Sequence, residues 1–133
     1  MTSDEIKANS YKDLLVWQKG ITLVKLIYQI TQAFPPDEKF GLVSQMRRAA
    51  VSMPSNIAEG QARHTTREFV QFVSHTEGSL AELDTQLLVA IELGYCASSK
   101  AQAAFELIGE LRKMLNALRR KLLARSSDKN SDE

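Results

Sequence analysis

FGLVSQMRRAAVSMPSNIAEG, residues 40–60, is the stretch on which the reading of the whole chain turns. Placed about 100° apart around a helix axis, its residues sort into separate arcs. Leu42, Val43, Met46, Ala49, Ala50, Met53 and Ile57 gather on one arc. Gln45, Arg48, Ser52, Ser55, Asn56 and Glu59 occupy the adjacent one, and Arg47, Val51, Pro54 and Ala58 look the other way. The segment is expected as a helix even though Pro54 lies inside it. Proline has no N–H, so the Ala50 carbonyl loses its usual partner and a kink is expected there, with Gly60 as a left-handed cap. A solvent-facing helix tends to fill its polar arc with Lys and Glu pairs. Short amides and hydroxyls around one Arg and one Glu point to polar groups that meet other protein groups.

The third helix carries a matching polar line, Gln71, His75, Ser79, Glu82 and Gln86. Buried charge survives only when it is paired and hydrogen-bonded. Arg48 is therefore expected to pair with Glu82 or Glu59, with Gln45, Ser52 and Asn56 completing the hydrogen bonds. Such a stripe organises the bundle or a subunit interface, and at an interface Arg48→Ala would disturb assembly. The alternative is a solvated polar face.

Working outward, three more helices are expected. Asp13 is a good N-cap for a helix from Leu14 to about Phe34, stopped by Pro35-Pro36. It carries two apolar stripes: Leu14, Trp17, Ile21, Val24 and Tyr28, and beside them Val16, Leu23, Ile27, Ile30 and Phe34. Two stripes fit either a subunit interface or a broad face buried within one monomer. The next helix begins at Thr65 or Thr66, where Thr65-Thr66-Arg67-Glu68 matches a capping box, and ends at Leu93 with Gly94 as its stop. Its Phe69, Val73, Thr76, Leu80, Leu83, Leu87 and Ala90 keep the heptad spacing of left-handed bundle packing. The last helix opens at Ser99, with Gln102 completing another box, and runs to about Arg125 on a seam of Ala101, Ala104, Ile108, Leu111, Leu115, Leu118 and Leu122. Short connections make neighbours antiparallel, so the fold class is an all-α, up-down-up-down four-helix bundle over residues 11–125. Polar residues 1–10 and 126–133 are expected to be disordered. Interior Gly20, Gly78 and Gly109 each cost about 1 kcal/mol relative to alanine. Close helix approach is the expected return, above all at Gly78-Ser79.

A chain of 133 residues is one domain. Lys and Arg number 17 against 16 Asp and Glu, so net charge argues for neither nucleic acid nor membrane. The charge is polarised: residues 111–125 hold six basic and no acidic side chains, while residues 75–110 hold six acidic and one basic. Lone Cys96 excludes an internal disulfide and fits a reducing cytoplasm. Asp4 and Glu5 with no apolar run after them argue against a signal peptide. Lys19 and Lys25 interrupt residues 14–34, so no membrane span is expected.

Enzyme templates fit poorly. There is no Gly-rich phosphate loop, Cys96 has no nearby His, and His64 and His75 belong to no metal-binding pattern. Glu59 and Glu82 are read as arginine partners rather than as an acid–base pair. No catalytic residue, cofactor or metal is expected. Cations cluster in two places: Arg47, Arg63, His64 and Arg67 around the second and third helices, and Arg112, Lys113, Arg119, Arg120, Lys121 and Arg125 on the last. Clustered cations suit phosphate, especially when multiplied by oligomerisation, although basic residues near a helix C-terminus also suit its dipole. No aromatic stacking platform or helix-turn-helix pattern is visible.

Leu15-Val16-Trp17-Gln18, the Phe40-Gly41-Leu42…Gln45 run, Arg47-Arg48-Ala49-Ala50 and above all Ser52-Met53-Pro54-Ser55-Asn56-Ile57-Ala58-Glu59-Gly60 resemble the bacterial four-helix-bundle proteins encoded in intervening sequences of 23S rRNA genes. Gly78-Ser79-Leu80…Glu82-Leu83 and Leu93-Gly94-Tyr95 extend the resemblance over about residues 11–120, with Met53 where the pattern more often has isoleucine. The resemblance implies a closed antiparallel bundle, often a homopentameric ring or barrel. That family is similar to the accessory variability protein of diversity-generating retroelements, a basic pentamer that binds nucleic acid and a reverse transcriptase. The expectation is a non-catalytic, cytoplasmic homopentamer that binds RNA or DNA electrostatically through Arg47, Arg63, Arg67, Arg112, Arg119 and Arg120. The alternative is a protein–protein adaptor for a partner enzyme.

Overall fold

The computed structural model describes residues 10–131. Its elements are four α-helices, α1 (Leu15–Thr31), α2 (Leu42–Gln61), α3 (Thr66–Glu92) and α4 (Ser98–Ser131), with short 3-10 turns at Tyr11–Asp13 and Pro36–Glu38. Helix α2 packs on α1 and α3, and α4 closes the ring against α3 and α1. The direction of each pair follows from who touches whom. Gly20, early in α1, faces Met53 and Pro54, late in α2, while Arg47 near the start of α2 reaches Thr31 at the end of α1. Gly60 at the end of α2 meets Phe69 and Phe72 near the start of α3, and Ser52 meets Ser79 farther along. Arg119, late in α4, bonds to Ser74 and Glu77, early in α3. The bundle is thus up-down-up-down, as short connections require.

The expected seams of α3 and α4 are buried in full, including Thr76, whose hydroxyl donates to the Phe72 carbonyl at 2.9 Å. On α1 the two stripes separate. Val16, Gly20, Leu23, Ile27 and Thr31 face the core, whereas Trp17, Ile21 and Val24 are half-buried and Tyr28 is exposed. One stripe of α1 therefore lies mostly outside the monomer core.

Several helix ends differ from expectation, each for a local reason. Asp13 does not cap α1. It closes the 3-10 turn opened by Ser10, whose Oγ accepts the Lys12 N–H at 3.2 Å, and Leu14 stands at the N-cap without a side-chain bond. Helix α1 stops at Thr31, and Phe34 turns inward against Tyr95 with ring centroids 5.6 Å apart. Gly60 is no left-handed cap: α2 continues through it to Gln61, and the positive-φ glycine among the described residues is Gly94, at φ +79°. There the Tyr95 and Gly94 N–H groups reach back to the Ala90 and Ile91 carbonyls, a Schellman ending for α3. Thr65 caps α3 as expected, accepting the Glu68 N–H at 3.1 Å. Helix α4 starts at Ser98, one residue before the expected Ser99, and Gln102 bonds to Glu106 instead of closing a capping box. It runs to Ser131, so residues 126–131, expected as part of a polar tail, continue the helix. The segment expected to be disordered at residues 1–10 lies, apart from Ser10, outside the described residues.

Pro54 also departs from its expected outward position, because it is buried and packs toward α1. The helix remains continuous through it. Ser55 donates to the Val51 carbonyl at 2.9 Å and Asn56 to the Ser52 carbonyl at 2.8 Å. Both are side-chain bonds to carbonyls one turn back beside the proline, and neither goes to the Ala50 carbonyl whose usual partner the proline removes.

Close approach occurs at Gly20, one of the three interior glycines expected to allow it, and at Gly60, but not at Gly78 or Gly109. A Cβ on Gly60 would fall 2.8 Å from Phe72 Cβ and 2.9 Å from Phe69 Cδ1. A Cβ on Gly20 would meet the Met53 sulfur and lie 3.4 Å from Pro54 Cβ. Gly78 and Gly109 have open space around them. Gly41 clears the way for Glu38, whose Oε1 caps the Leu42 N–H at 3.2 Å while its Oε2 accepts the Tyr95 hydroxyl at 2.9 Å.

Two measurements check this packing. In urea unfolding, Gly60→Ala lowers stability by about 1–3 kcal/mol through overpacking, whereas Gly78→Ala raises it by about 0.5–1 kcal/mol through helix propensity. Equal effects at both positions would contradict the assignment. The bond to Glu38, aided by burial, pushes the Tyr95 phenol above its ordinary value. Its stabilising contribution is complete below the unfolded-state value near pH 10 and is lost as pH rises through the higher folded value. In alkaline titration at 295 nm, Tyr95→Phe should remove a tyrosine ionisation that lies above the ordinary value.

Candidate nucleic-acid interface

The polar stripe of α2 splits into an inner and an outer half. On the inner half, Ser52 Oγ lies 2.6 Å from Ser79 Oγ and 2.8 Å from the Ala49 carbonyl, while Ser79 donates to the His75 carbonyl at 3.2 Å. The Ser52–Ser79 bond ties α2 to α3, while the bonds to Ala49 and His75 and that of Asn56 to the Ser52 carbonyl lie within their own helices. On the outer half, Gln45, Arg48 and Glu59 face solvent. Arg48 pairs with neither expected acid. It shares an open groove of about 480 Å³ with Gln45, Ser52 and Glu82, yet forms no ion pair or hydrogen bond among the described residues. Glu82 instead accepts from Gln86 Nε2 at 3.2 Å, and Glu59 stands 3.9 Å from Arg63 one turn on. The reason is exposure: water solvates a cation on this rim, so nothing forces a partner on it.

The six arginines expected to touch nucleic acid fall into distinct groups. Arg47 is held in place. Its Nε donates to Thr31 Oγ1 at 3.0 Å, its guanidinium lies 4.4 Å from the Tyr28 ring centroid, and its terminal nitrogen approaches the Tyr28 carbonyl at 3.5 Å. A cation there suits the C-terminal end of α1, where carbonyls lack helical partners. Arg119 is also a structural group, pairing with Glu77 and donating to Ser74 at 2.8 Å across the α3–α4 seam. Its Nε is buried with no partner among the described residues. Arg63 lies over the Phe72 ring at 4.9 Å and remains exposed. Arg67, Arg112 and Arg120 are exposed with no hydrogen bond or ion pair among the described residues. Arg63 and Arg67 flank the α2–α3 turn, and Arg120 follows the residue that reaches Ser74. Arg120 therefore approaches the same end of the bundle, while Arg112 lies about two turns earlier on α4.

The structure also reveals an aromatic surface that sequence reasoning missed. Phe40 is 89% exposed, with Lys39 Nζ 5.5 Å from its ring centroid, and it shares a groove of about 670 Å³ with Tyr28, Arg47 and Arg48. The available signal was Phe40 itself, an aromatic set between a lysine and a glycine in a polar turn.

Nothing convergent gathers around the remaining reactive groups. His75 is exposed against the Phe72 ring at 5.9 Å, and His64 is exposed beside Glu59, Arg63 and Glu68. Burial pushes the Cys96 thiol up, against the pull of Lys100, which disfavours the thiolate. Among the described residues no group of three or more His, Cys, Asp and Glu could hold a metal ion, and no helix is long and apolar enough to cross a membrane.

The fold and surface define an all-α antiparallel four-helix bundle whose structural arginines lie at helix seams and whose free arginines lie outside them. The chain belongs to the 23S rRNA-intervening sequence protein family, whose profile matches residues 12–117. A search of curated proteins returns no significant match.

The division among the arginines is testable by unfolding. Arg119→Ala costs about 1 kcal/mol or more, since it strips a half-buried carboxylate of its partner. Arg120→Ala stays within about 0.5 kcal/mol of the parent. Equal losses would show that the two neighbours are not differently used.

Proposed function

We propose that this protein is a non-catalytic homo-oligomeric scaffold, a homopentamer in the pattern its family resemblance implies, that binds RNA or DNA electrostatically in the cytoplasm. The observation that carries the reading is the set of exposed arginines without partners among the described residues, Arg67, Arg112 and Arg120, together with exposed Arg63. Unpaired guanidinium groups keep their full capacity for phosphate oxygens, and repetition around an oligomer multiplies a modest patch into a strong field. Self-association is supported by a second observation. Leu88, Val89 and Leu93 stand 51%, 41% and 55% exposed on α3 and just beyond it, and such a cluster of large apolar groups favours burial against protein. No cofactor enters the reading.

A phosphate-reading surface has a characteristic response to salt. Affinity for RNA of mixed sequence should fall linearly with salt on a double-logarithmic plot and vary little with sequence. Arg67→Ala and Arg120→Ala should each weaken binding uniformly and reduce the salt slope by about 1. Light scattering should give a mass of several subunits. Absence of RNA binding at low salt by the intact oligomer would remove the nucleic-acid role and favour the adaptor for a partner enzyme. A monomer would remove the scaffold.

A further inference from the structure

The groove between the C-terminal part of α1 and the first turns of α2 is not explained by electrostatic backbone binding alone. Its residues include three cations, Lys39, Arg47 and Arg48, and two accessible aromatic rings, Tyr28 and Phe40, with no acidic side chain among them. Phe40 is the most exposed large apolar side chain among the described residues, and the solvent-facing ring lies beside the Lys39 ammonium. The Arg47 guanidinium is fixed near the Tyr28 ring by Thr31, so a planar cation–aromatic pair is already ordered before any ligand arrives. Arg48 lines the same groove and has no protein partner among the described residues.

Flat rings beside unneutralised cations match a ligand that is itself a flat ring joined to an anion. We infer that this groove holds an unstacked base of a single-stranded nucleic acid, with the base against Phe40 and the adjoining phosphate at Arg48 and Lys39. Charge complementarity favours an anionic occupant, and the aromatic surface favours one with a π-face over a plain carboxylate. A base within a duplex is stacked on both sides and cannot offer its face to Phe40, so the site selects single strands. Selection is by stacking, and every base has a π-face, so sequence preference stays slight. This inference rests on the proposed nucleic-acid role and adds to it a place and a strand preference.

The test uses fluorescence anisotropy with the full chain and three probes of equal phosphate number: an oligouridine, an RNA duplex, and an abasic oligomer that keeps the backbone without bases. Parent protein should bind the oligouridine about tenfold more tightly than the abasic oligomer, the scale of one stacked base, and more tightly than the duplex. Phe40→Ala should bring oligouridine down to the abasic level and leave abasic affinity unchanged. Arg67→Ala should weaken both equally. Equal binding of oligouridine and abasic oligomer by the parent, or an unchanged ratio in Phe40→Ala, overturns the site but leaves electrostatic binding standing. Failure to bind any probe at low salt overturns both. Phe40→Ala, although exposed, could act through folding or assembly. A loss of oligomer mass in light scattering would assign the groove to a second copy of the chain and overturn the inference. Phe40→Tyr, which keeps the stacking face, should retain the preference for oligouridine.

Discussion

The bare backbone at Gly60 is the contact on which the rest of the bundle depends. Phe69 and Phe72 press against α2 so closely that no side chain fits there, and Gly20 makes a comparable allowance for Met53 and Pro54 on the opposite side. Helix α2 is thereby held on both flanks, against α1 and against α3. Interiors are packed like crystals, so a small misfit at such a point is felt throughout. The buried Pro54 belongs to the same arrangement. A residue that weakens the helix ladder is accommodated where its ring fills the space left by the glycine of a neighbour. With α2 fixed, Ser52 meets Ser79, Arg47 meets the end of α1, and the seams of α3 and α4 close over one core.

This packing decides which charges are available. Arg47 and Arg119 stand where a helix end or a facing acid gives them partners, and both are half-buried. Arg48, Arg67, Arg112 and Arg120 lie beyond the seams, exposed and without an ion pair among the described residues. A chain of nearly balanced composition thus presents unneutralised cations at chosen places. Composition is silent on this, since a paired arginine and a free one count alike.

The heptad spacing of α3 and α4 was legible because burial there follows periodicity alone, and every residue from Phe69 to Ala90 and from Ala101 to Leu122 on those seams is buried. Gly94 and Thr65 were legible because their roles are local: a left-handed turn and a first-turn hydroxyl. The polar stripe was half legible. Ser52 and Asn56 form bonds, but the Arg48 pairing depends on depth, which angular position around one helix cannot report. Gly60, expected as a cap, and Gly78, expected at a close approach, were both misplaced because close approach is a property of two helices, and of the two only Gly60 meets rings from another. The anchoring of Arg47 was hidden for the same reason, since its partners are at the far end of α1. Phe40 escaped notice because it belongs to no periodic pattern, and its meaning comes from Tyr28, Arg47 and Arg48 beside it.

The central functional claim is that some arginines serve the fold while others serve an anionic partner. The most direct measurement is the Nε–Hε NMR spectrum of the arginine side chains with and without a single-stranded oligonucleotide. The account predicts that Arg47 and Arg119 signals are protected from solvent exchange and that Arg119 is unmoved by the ligand, while those of Arg48, Arg67, Arg112 and Arg120 exchange rapidly and shift. Shifts confined to Arg47 and Arg119, or no shift at a concentration that saturates RNA binding, would contradict it.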